Sequence, residues 1–155
     1  MTVKTASCLC GGIKVEIHGD PFMRNLCHCS SCQKSTGAAF GSLAAYMTDV
    51  RITVPLPMQV TYVESEPSLL KTFIDTSPES GDILKRSFCG KCGSPVRVQR
   101  GSKPDTLIVP VGIIDGDKTV FKPQAEFFCR GKANWVGDIQ DSKTFDANPP
   151  KYPPV

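Results

Sequence analysis

Short segments of alternating hydrophobic and polar residues recur along the chain and predict a protein built mainly from β-strands. The clearest segment spans residues 13–17, where apolar and charged side chains alternate strictly, as in a strand with one buried face. Turn-forming glycine, proline and polar residues separate this segment from others of similar length. The predicted strands cover residues 3–8, 12–17, 23–29, 38–47, 60–64, 69–75, 84–88, 96–99, 107–114 and 125–129.

Four features of the sequence add detail to this mainly β prediction. Residues 30–36 are polar and predict a helical turn that ends near Gly37. Strands 60–64 and 69–75 are separated by four residues and are expected to pair with each other. Pro110 lies inside strand 107–114 and cannot donate a ladder hydrogen bond, so that strand is expected at a sheet edge or a bulge. Residues 76–82 have the composition of a loop.

The length of 155 residues favours a single domain over residues 1–147, followed by a proline-rich C-terminal tail at residues 148–155. The net charge of +3 and the absence of like-charge blocks indicate neither a nucleic-acid nor a membrane partner. The apolar runs are far shorter than the roughly 20 residues of a membrane helix. Because the first residues lack the apolar stretch of a signal peptide, a cytoplasmic location is expected. The oligomeric state is not predicted.

The cysteines carry the clearest chemical signal in the sequence. Seven of the eight lie in tight clusters, whereas the remaining one, Cys129, stands alone. An even number of cysteines also suits disulfides, but those belong mostly to secreted chains and do not require clustering. A metal site does require it, because several thiolates must converge on one ion. The clustered residues are Cys8, Cys10, Cys27, Cys29, Cys32, Cys89 and Cys92.

Seven thiols divide most naturally into a set of four and a set of three. Four thiolates close a tetrahedral structural zinc site, whereas three leave the fourth position free for water or substrate. We favour a compact set of three at residues 27, 29 and 32, with residues 8, 10, 89 and 92 forming the set of four. The alternative joins residues 8 and 10 to residues 27 and 29. The Cys-x-x-Cys segment at 89–92 is also compatible with a redox motif.

Three thiolates around Zn²⁺ give a net charge of −1, which makes the ion a weak Lewis acid. Such a soft ion favours a thiol as its fourth ligand. The metal would lower the pKa of that thiol and hold it as the reactive thiolate. The set of three therefore points to thiol or thioether chemistry.

Four segments of the chain together resemble the glutathione-dependent formaldehyde-activating enzyme (GFA) family, also called the CENP-V/GFA domain. The resemblance covers about residues 5–136 and rests on three motifs and a closing segment in the family's order. They read SCLCGG at 7–12, CHCSSCQKSTGAAF at 27–40, FCGKCGSP at 88–95 and FFCRGKANW at 127–135. Gln33 departs from the pattern, because the family often has arginine there.

The resemblance implies an Mss4-like β-sheet sandwich with two zinc ions per chain. Cys8, Cys10, Cys89 and Cys92 would hold the structural zinc, and Cys27, Cys29 and Cys32 the active-site zinc. The implied activity is that of a carbon–sulfur lyase on glutathione–aldehyde adducts such as S-(hydroxymethyl)glutathione, or on a related thiol or thioether. Two alternatives remain at this point. One is a noncatalytic zinc module that binds a thiol or a protein partner, and the other is a zinc-dependent lyase or isomerase on a specialised metabolite.

Further residues are candidates for a role at the set of three, although each also suits an ordinary structural role. His28, between two predicted ligands, is expected to be packed or hydrogen-bonded rather than a proton shuttle. Cys129 is expected to be a buried thiol in a strand. Glu126 is the best-placed carboxylate for acid–base work. Candidates for substrate carboxylates or pocket walls are Arg24, Lys34, Arg97, Arg130, Phe127, Phe128 and Trp135.

Overall fold

The computed structural model describes residues 3–47 and 60–149, and within these residues the fold is mainly β. Eleven strands in this part form two sheets, accompanied by one α-helix and three short 3₁₀ helices. The mainly β fold predicted from the alternation is thereby confirmed. The predicted tail at 148–155 lies outside the described residues except for its first two. Within the described ranges, no helix reaches the length and apolarity needed to cross a membrane.

The smaller sheet contains three antiparallel strands in the order β1-β2-β5. Its central strand shows the predicted alternation, with Ile13, Val15 and Ile17 buried and the intervening Lys14 and Glu16 exposed. The strictly alternating segment therefore has one buried face, as expected. The strands are β1 (Val3–Ser7), β2 (Ile13–His18) and β5 (Val60–Glu64).

The larger sheet contains eight strands, most of them antiparallel to their neighbours. The exception is β10, which runs parallel to both β3 and β11. β11 was not predicted from the sequence. In spatial order the strands are β11 (Lys143–Phe145), β10 (Ala125–Phe127), β3 (Met23–Cys27), β4 (Gly41–Met47), β9 (Thr106–Pro110), β8 (Pro95–Arg100), β7 (Leu84–Cys89) and β6 (Leu70–Asp75).

The α-helix α1 spans Ser30–Thr36, as the polar segment predicted. Its N-cap is Cys29, whose sulfur accepts a hydrogen bond from the Cys32 backbone amide at 3.4 Å. Gly37 ends the helix, and its backbone amide donates a hydrogen bond to the carbonyl of Gln33. The 3₁₀ helices are Val111–Ile113, Thr119–Phe121 and Cys129–Gly131.

The expected pairing of β5 with β6 is wrong, because the two strands belong to different sheets. β5 pairs with β2, whereas β6 pairs with β7. The linker between them crosses from one sheet to the other and includes Ser68 at a φ of 62°. At its two ends the amide of Ser65 donates to Gly12 and the amide of Gly90 donates to Leu69, both at 2.8 Å.

The expected edge position of the strand around Pro110 is also wrong. β9 lies between β4 and β8 in the interior of the large sheet. Pro110 is its last residue, and the chain then turns into the 3₁₀ helix Val111–Ile113. A proline at the end of a strand ends the ladder locally, so an interior strand tolerates it there.

The two faces of the large sheet pack against different surroundings. On one face, Ala44, Tyr46 and Val109 join the buried side of the small sheet in the main hydrophobic core. On the other face, Met23 and Ala45 belong to a second cluster that also contains Cys27, Cys29 and Cys32. The chain is thus a sandwich of two sheets with an additional layer on the outer face of the larger one.

Candidate functional site

The set of four cysteines predicted from the sequence comes together between the two sheets. The sulfurs of Cys8, Cys10, Cys89 and Cys92 all lie within 4.8 Å of one another. Cys8 and Cys10 belong to the turn after β1, Cys89 ends β7 and Cys92 lies in the turn after it, so the set links the small sheet to the large one. The sulfurs of Cys8 and Cys10 are 3.5 Å apart, and those of Cys10 and Cys89 are 3.7 Å apart.

Both turns of this set present backbone amides to the cysteines. Gly11 and Gly93 have positive φ angles of 73° and 75°, and their amides donate to the carbonyls of Cys8 and Cys89 at 2.9 and 2.8 Å. The tight turns require this left-handed backbone, which glycine adopts without strain. The amide of Ile13 reaches the sulfur of Cys8 at 3.2 Å. Amide donors stabilise thiolates, so the contact from Ile13 suits Cys8 as a thiolate ligand.

Ser94 adds side-chain hydrogen bonds to the same set. Its hydroxyl lies 3.3 Å from the sulfur of Cys92 and accepts the amide of Leu9 at 3.0 Å. The hydrogen bond from Ser94 is the main reason that the pKa of Cys92 falls to about 5. This thiol is therefore ready to act as a thiolate ligand near neutral pH.

The set of three cysteines lies on the opposite face of the large sheet. The sulfurs of Cys27, Cys29 and Cys32 lie within 4.8 Å of one another, and all three residues are buried. Cys27 ends β3, Cys29 caps helix α1, and Cys32 lies in its first turn. The structure therefore brings together the favoured division of four and three, rather than the alternative.

Hydrogen bonds among the three buried thiols shift their pKa values in opposite directions. The pKa of Cys29 lies well below its usual value because the thiols of Cys27 and Cys32 donate to it, with help from the Cys32 amide and the charge of Arg86. The pKa of Cys27 is raised, first of all by its hydrogen bond to Cys29. Three converging sulfurs of this kind are suited to exchange their protons for one soft metal ion.

A pocket opens directly beside this set of three. Its floor is one face of the large sheet, because Arg86, Val98, Ile108 and Ala45 are successive cross-strand neighbours from β7 to β4. The pocket volume is about 80 Å³. The lining residues are Asn25, Cys27, Cys29, Cys32, Leu43, Ala45, Pro78, Ser80, Leu84, Arg86, Val98, Arg100, Ile108, Phe127, Phe128 and Asn148.

The predicted loop at residues 76–82 forms part of the pocket rim. It contributes Pro78 and Ser80 to the lining. Between them, Glu79 accepts the amide of Ser30 at 3.2 Å, at the start of helix α1. The same carboxylate pairs with Arg130 at 3.5 Å. The loop is therefore fastened to the segment that carries Cys29 and Cys32.

The described charged residues that line the pocket are two arginines that sequence reasoning missed. Arg86 pairs with Asp75 at 2.8 Å, and Arg100 pairs with Asp82 at 2.9 Å. Burial lowers the pKa of Arg86, but Asp75 and the neighbouring Cys32 together raise it above its usual value. One indication of their place in the pocket was available from the sequence, namely the position of Arg86 and Arg100 in strands where apolar and polar residues alternate.

The four basic residues considered from the sequence do not line this pocket. Arg24 donates to the carbonyl of Val120 at 3.0 Å, and Arg97 stacks over the ring of Tyr62. Arg130 pairs with Glu79 as described, and Lys34 lies in the last turn of α1. Their roles are thus structural or at the surface.

Glu126 lies on the face of β10 opposite to the pocket, because it alternates with the pocket residue Phe127. Its fully buried carboxylate accepts from His28 Nε2 and Lys132 Nζ, both at 2.9 Å, and from the amide of Ile139 at 3.1 Å. The side chain therefore anchors a buried ion pair and does not face the pocket. His28 is hydrogen-bonded and fully buried, as expected, whereas Lys132 was not anticipated.

Cys129 lies beside His28 and Glu126 and is not part of a strand. Its sulfur lies within ligand distance of His28 and Glu126, yet the Glu126 carboxylate already has three donors. Cys129 begins a 3₁₀ helix and is half-buried, so the expectation of a buried thiol in a strand is wrong. The strand ends earlier because Phe128 adopts a left-handed backbone with a φ of 58°.

The remaining candidates divide between the pocket and the surface. Phe127 and Phe128 line the pocket. Trp135 is 75% exposed, so it contributes to neither the pocket nor the core. The side-chain amide of Gln33 donates through Nε2 to the carbonyls of Ala39 and Gly131, both at 3.1 Å. Gln33 therefore joins helix α1 to the segment after β10 and does not present itself to a substrate.

Comparisons with known proteins agree with the motifs and the fold. A family described as "Glutathione-dependent formaldehyde-activating enzyme" matches residues 3–131. Among solved structures, the crystal structure of a Rhodobacter sphaeroides protein is similar, with a TM-score of 0.54 and 22% sequence identity. The similarity covers 75% of this chain and 92% of that one, and it supports the fold alone. No curated protein sequence matches with comparable significance.

Proposed function

The chain belongs to the glutathione-dependent formaldehyde-activating enzyme family, and we propose that it is a zinc-dependent carbon–sulfur lyase. The reaction would take place at Cys27, Cys29 and Cys32. The observation that carries the proposal is that these three buried sulfurs converge at the wall of a pocket. A set of three leaves one ligand position for a substrate, and that position would face the pocket.

The two sets would hold one zinc ion each, and their surroundings support different roles. The set of four connects the two sheets and is built from cysteines alone, which is typical of structural zinc. The set of three lies beside a pocket lined mainly by apolar side chains. When bound there, zinc would supply a soft Lewis acid that favours the thiolate form of a sulfur substrate.

The substrate would be a thiol–aldehyde adduct, with S-(hydroxymethyl)glutathione or a related thioether as the model compound. In cleavage, the carbon–sulfur bond breaks and its electron pair stays with sulfur. The hydroxyl group of the adduct passes its proton to a water molecule and becomes the carbonyl of the aldehyde. The apolar pocket walls, including Leu43, Ile108 and Phe127, would limit the access of further water to this step.

Metal analysis and turnover assays together test this function. We expect about two zinc ions per chain in the purified protein, and about one in a Cys32→Ser variant. Cleavage of aldehyde adducts of glutathione should be abolished by Cys32→Ser. It should persist in Cys129→Ser, whose thiol lies outside the pocket. One zinc ion in both proteins, or turnover that survives Cys32→Ser, would contradict the proposal.

A binding-only role is the second candidate. It is favoured by the pocket lining, since none of the described lining residues is Asp, Glu or His. A lyase step needs a group or a water molecule that moves the hydroxyl proton. Saturable thiol binding without turnover against a panel of aldehydes would support this candidate, and turnover that depends on Cys32 would exclude it.

A further inference from the structure

Two residues that line the pocket beside the set of three cysteines each have a buried polar atom without a hydrogen-bond partner among the described residues: Nη2 of Arg86 and Oγ of Ser80. Of the two, only Arg86 is charged, and its guanidinium also interacts with the sulfur of Cys32. The rest of the guanidinium is held in place, because its Nε donates to Asp75 at 2.8 Å. A buried donor without an acceptor is costly, so it indicates a group that arrives with a ligand.

The position of Arg86 relates this donor to the reacting sulfur. Its side chain lines the same pocket as Cys29 and Cys32. A ligand atom bound at the set of three is thus close to the guanidinium. An anionic group that Arg86 could reach must lie within a few bonds of the ligand's sulfur.

The size and composition of the pocket restrict the rest of the ligand. The pocket volume of about 80 Å³ is smaller than the roughly 150 Å³ cavity that accommodates benzene. Its other walls are mostly apolar, with Leu43, Val98 and Ile108 on the floor. A tripeptide such as glutathione would place only its sulfur end inside, and both of its carboxylates are distant from that sulfur.

We propose that the pocket selects a small, otherwise apolar thiol or thiol adduct with a carboxylate next to the sulfur-bearing carbon, and that Arg86 binds this carboxylate. The inference rests on the proposed function, since it assumes that the ligand's sulfur lies at Cys27, Cys29 and Cys32. Asp75 holds the guanidinium through Nε, and Arg86 lines the pocket with its Nη2 unpartnered. A charge-assisted hydrogen bond in a buried site is stronger than one between neutral groups. Arg86 would thus determine specificity within the lyase reaction.

Calorimetric binding to the zinc-loaded protein tests the inference without relying on turnover. The probes are 2-mercaptopropanoate, its uncharged amide and glutathione. We expect the acid to bind at least about tenfold more tightly than the amide, as a charge-assisted hydrogen bond implies. Arg86→Gln should abolish this preference while leaving the affinity for the amide unchanged, which a purely structural role would not do.

Two further variants make the test specific. Arg100→Gln, also in the pocket but next to Asp82, should keep most of the preference for the acid. Arg86→Lys retains the charge and should keep part of it, even if Arg86→Gln does not fold. An equal affinity for acid and amide, or tighter binding of glutathione, would overturn the inference. That result would leave the proposed lyase function standing if Cys32-dependent turnover were observed.

Discussion

Replacement of Glu126 by glutamine tests whether the buried ion pair behind the set of three stabilises the fold. Glutamine has nearly the shape of glutamate but carries no charge, and its amide nitrogen is itself a donor. In the structure three donors converge on the carboxylate, from His28, Lys132 and Ile139. Glu126→Gln therefore removes the negative charge that Lys132 faces. It also places the side-chain NH₂ group of glutamine next to a group that is itself a hydrogen-bond donor.

The expected cost follows from burial. Breaking one partner of a buried ion pair costs about 3–5 kcal/mol. Lys132 keeps a second bond to Asp138 at 2.7 Å, but that carboxylate is 88% exposed. We therefore expect about 3 kcal/mol at pH 7, which corresponds to a fall in Tm of roughly 6–12 °C at about 2–4 °C per kcal/mol. The matched control is Glu79→Gln, whose surface ion pair with Arg130 should contribute only about 0–1 kcal/mol.

The pH dependence gives the same prediction a second readout. Burial raises the pKa of Glu126, but hydrogen bonds from Lys132, Ile139 and His28 outweigh it, so the folded-state pKa lies below the ordinary value of 4.5. A depressed carboxyl pKa stabilises the fold fully above the unfolded pKa and loses that contribution as the pH falls through the folded pKa. The difference between wild type and Glu126→Gln should thus be constant above about pH 5 and shrink below about pH 4.5.

Thermal melts followed by circular dichroism, with zinc content held equal, measure both readouts. A Tm difference at pH 7 no larger than that of Glu79→Gln would refute the role of the ion pair. An undiminished difference well below pH 4.5 would refute the electrostatic explanation and leave only a packing effect.

Three further predictions concern the cysteine sets and their turns. Cys89→Ser should abolish cooperative thermal unfolding, because it opens the set that links the sheets, whereas Cys32→Ser should retain it; equal melts for the two would contradict the division of roles. Gly93→Ala places a side chain at a φ of 75° and should cost about 1–2 kcal/mol in chemical denaturation, so an unchanged midpoint would exclude strain in that turn. Gly131→Ala would put a methyl group 2.8 Å from the carbonyl of His28, which lies between Cys27 and Cys29 in the chain. This contact should displace the set of three and lower the zinc content from about two ions per chain towards one. Two ions with unchanged stability would show that the segment around residue 131 can move aside.

The elements of the fold were largely predictable because each has a local signal. The alternation around Val15 identified a strand with one buried face, and the polar segment before Gly37 identified helix α1. Partner strands were not predictable in the same way, because alternation shows which side chains are buried but not which strand lies alongside. The expectation for β5 and β6 was wrong for this reason, as the linker through Ser68 crosses between sheets.

The cysteines of the candidate site were predictable from the sequence because they are rare residues at close spacing, whereas the other pocket residues were not. Cys27, Cys29 and Cys32 were recognisable because three cysteines within six positions are seldom accidental. Arg86 and Arg100 were not, because an arginine in an alternating strand is usually solvent-exposed. Their place in the pocket follows from cross-strand register, with Arg86 opposite Val98 and Arg100 opposite Leu84, and from burial by the loop at 76–82.

The large sheet has core residues that stabilise the protein on one face and pocket residues that would contact a ligand on the other. Along β4, Ala44 and Tyr46 pack into the main core, whereas Leu43 and Ala45 line the pocket. Along β9, Val109 likewise faces the core and Ile108 the pocket. Because neighbouring residues in a strand point to opposite faces, a pocket residue can change without altering the packing between the sheets. The same sandwich and closed cysteine set can therefore support pockets of different chemistry, and membership of the family by itself does not fix the substrate.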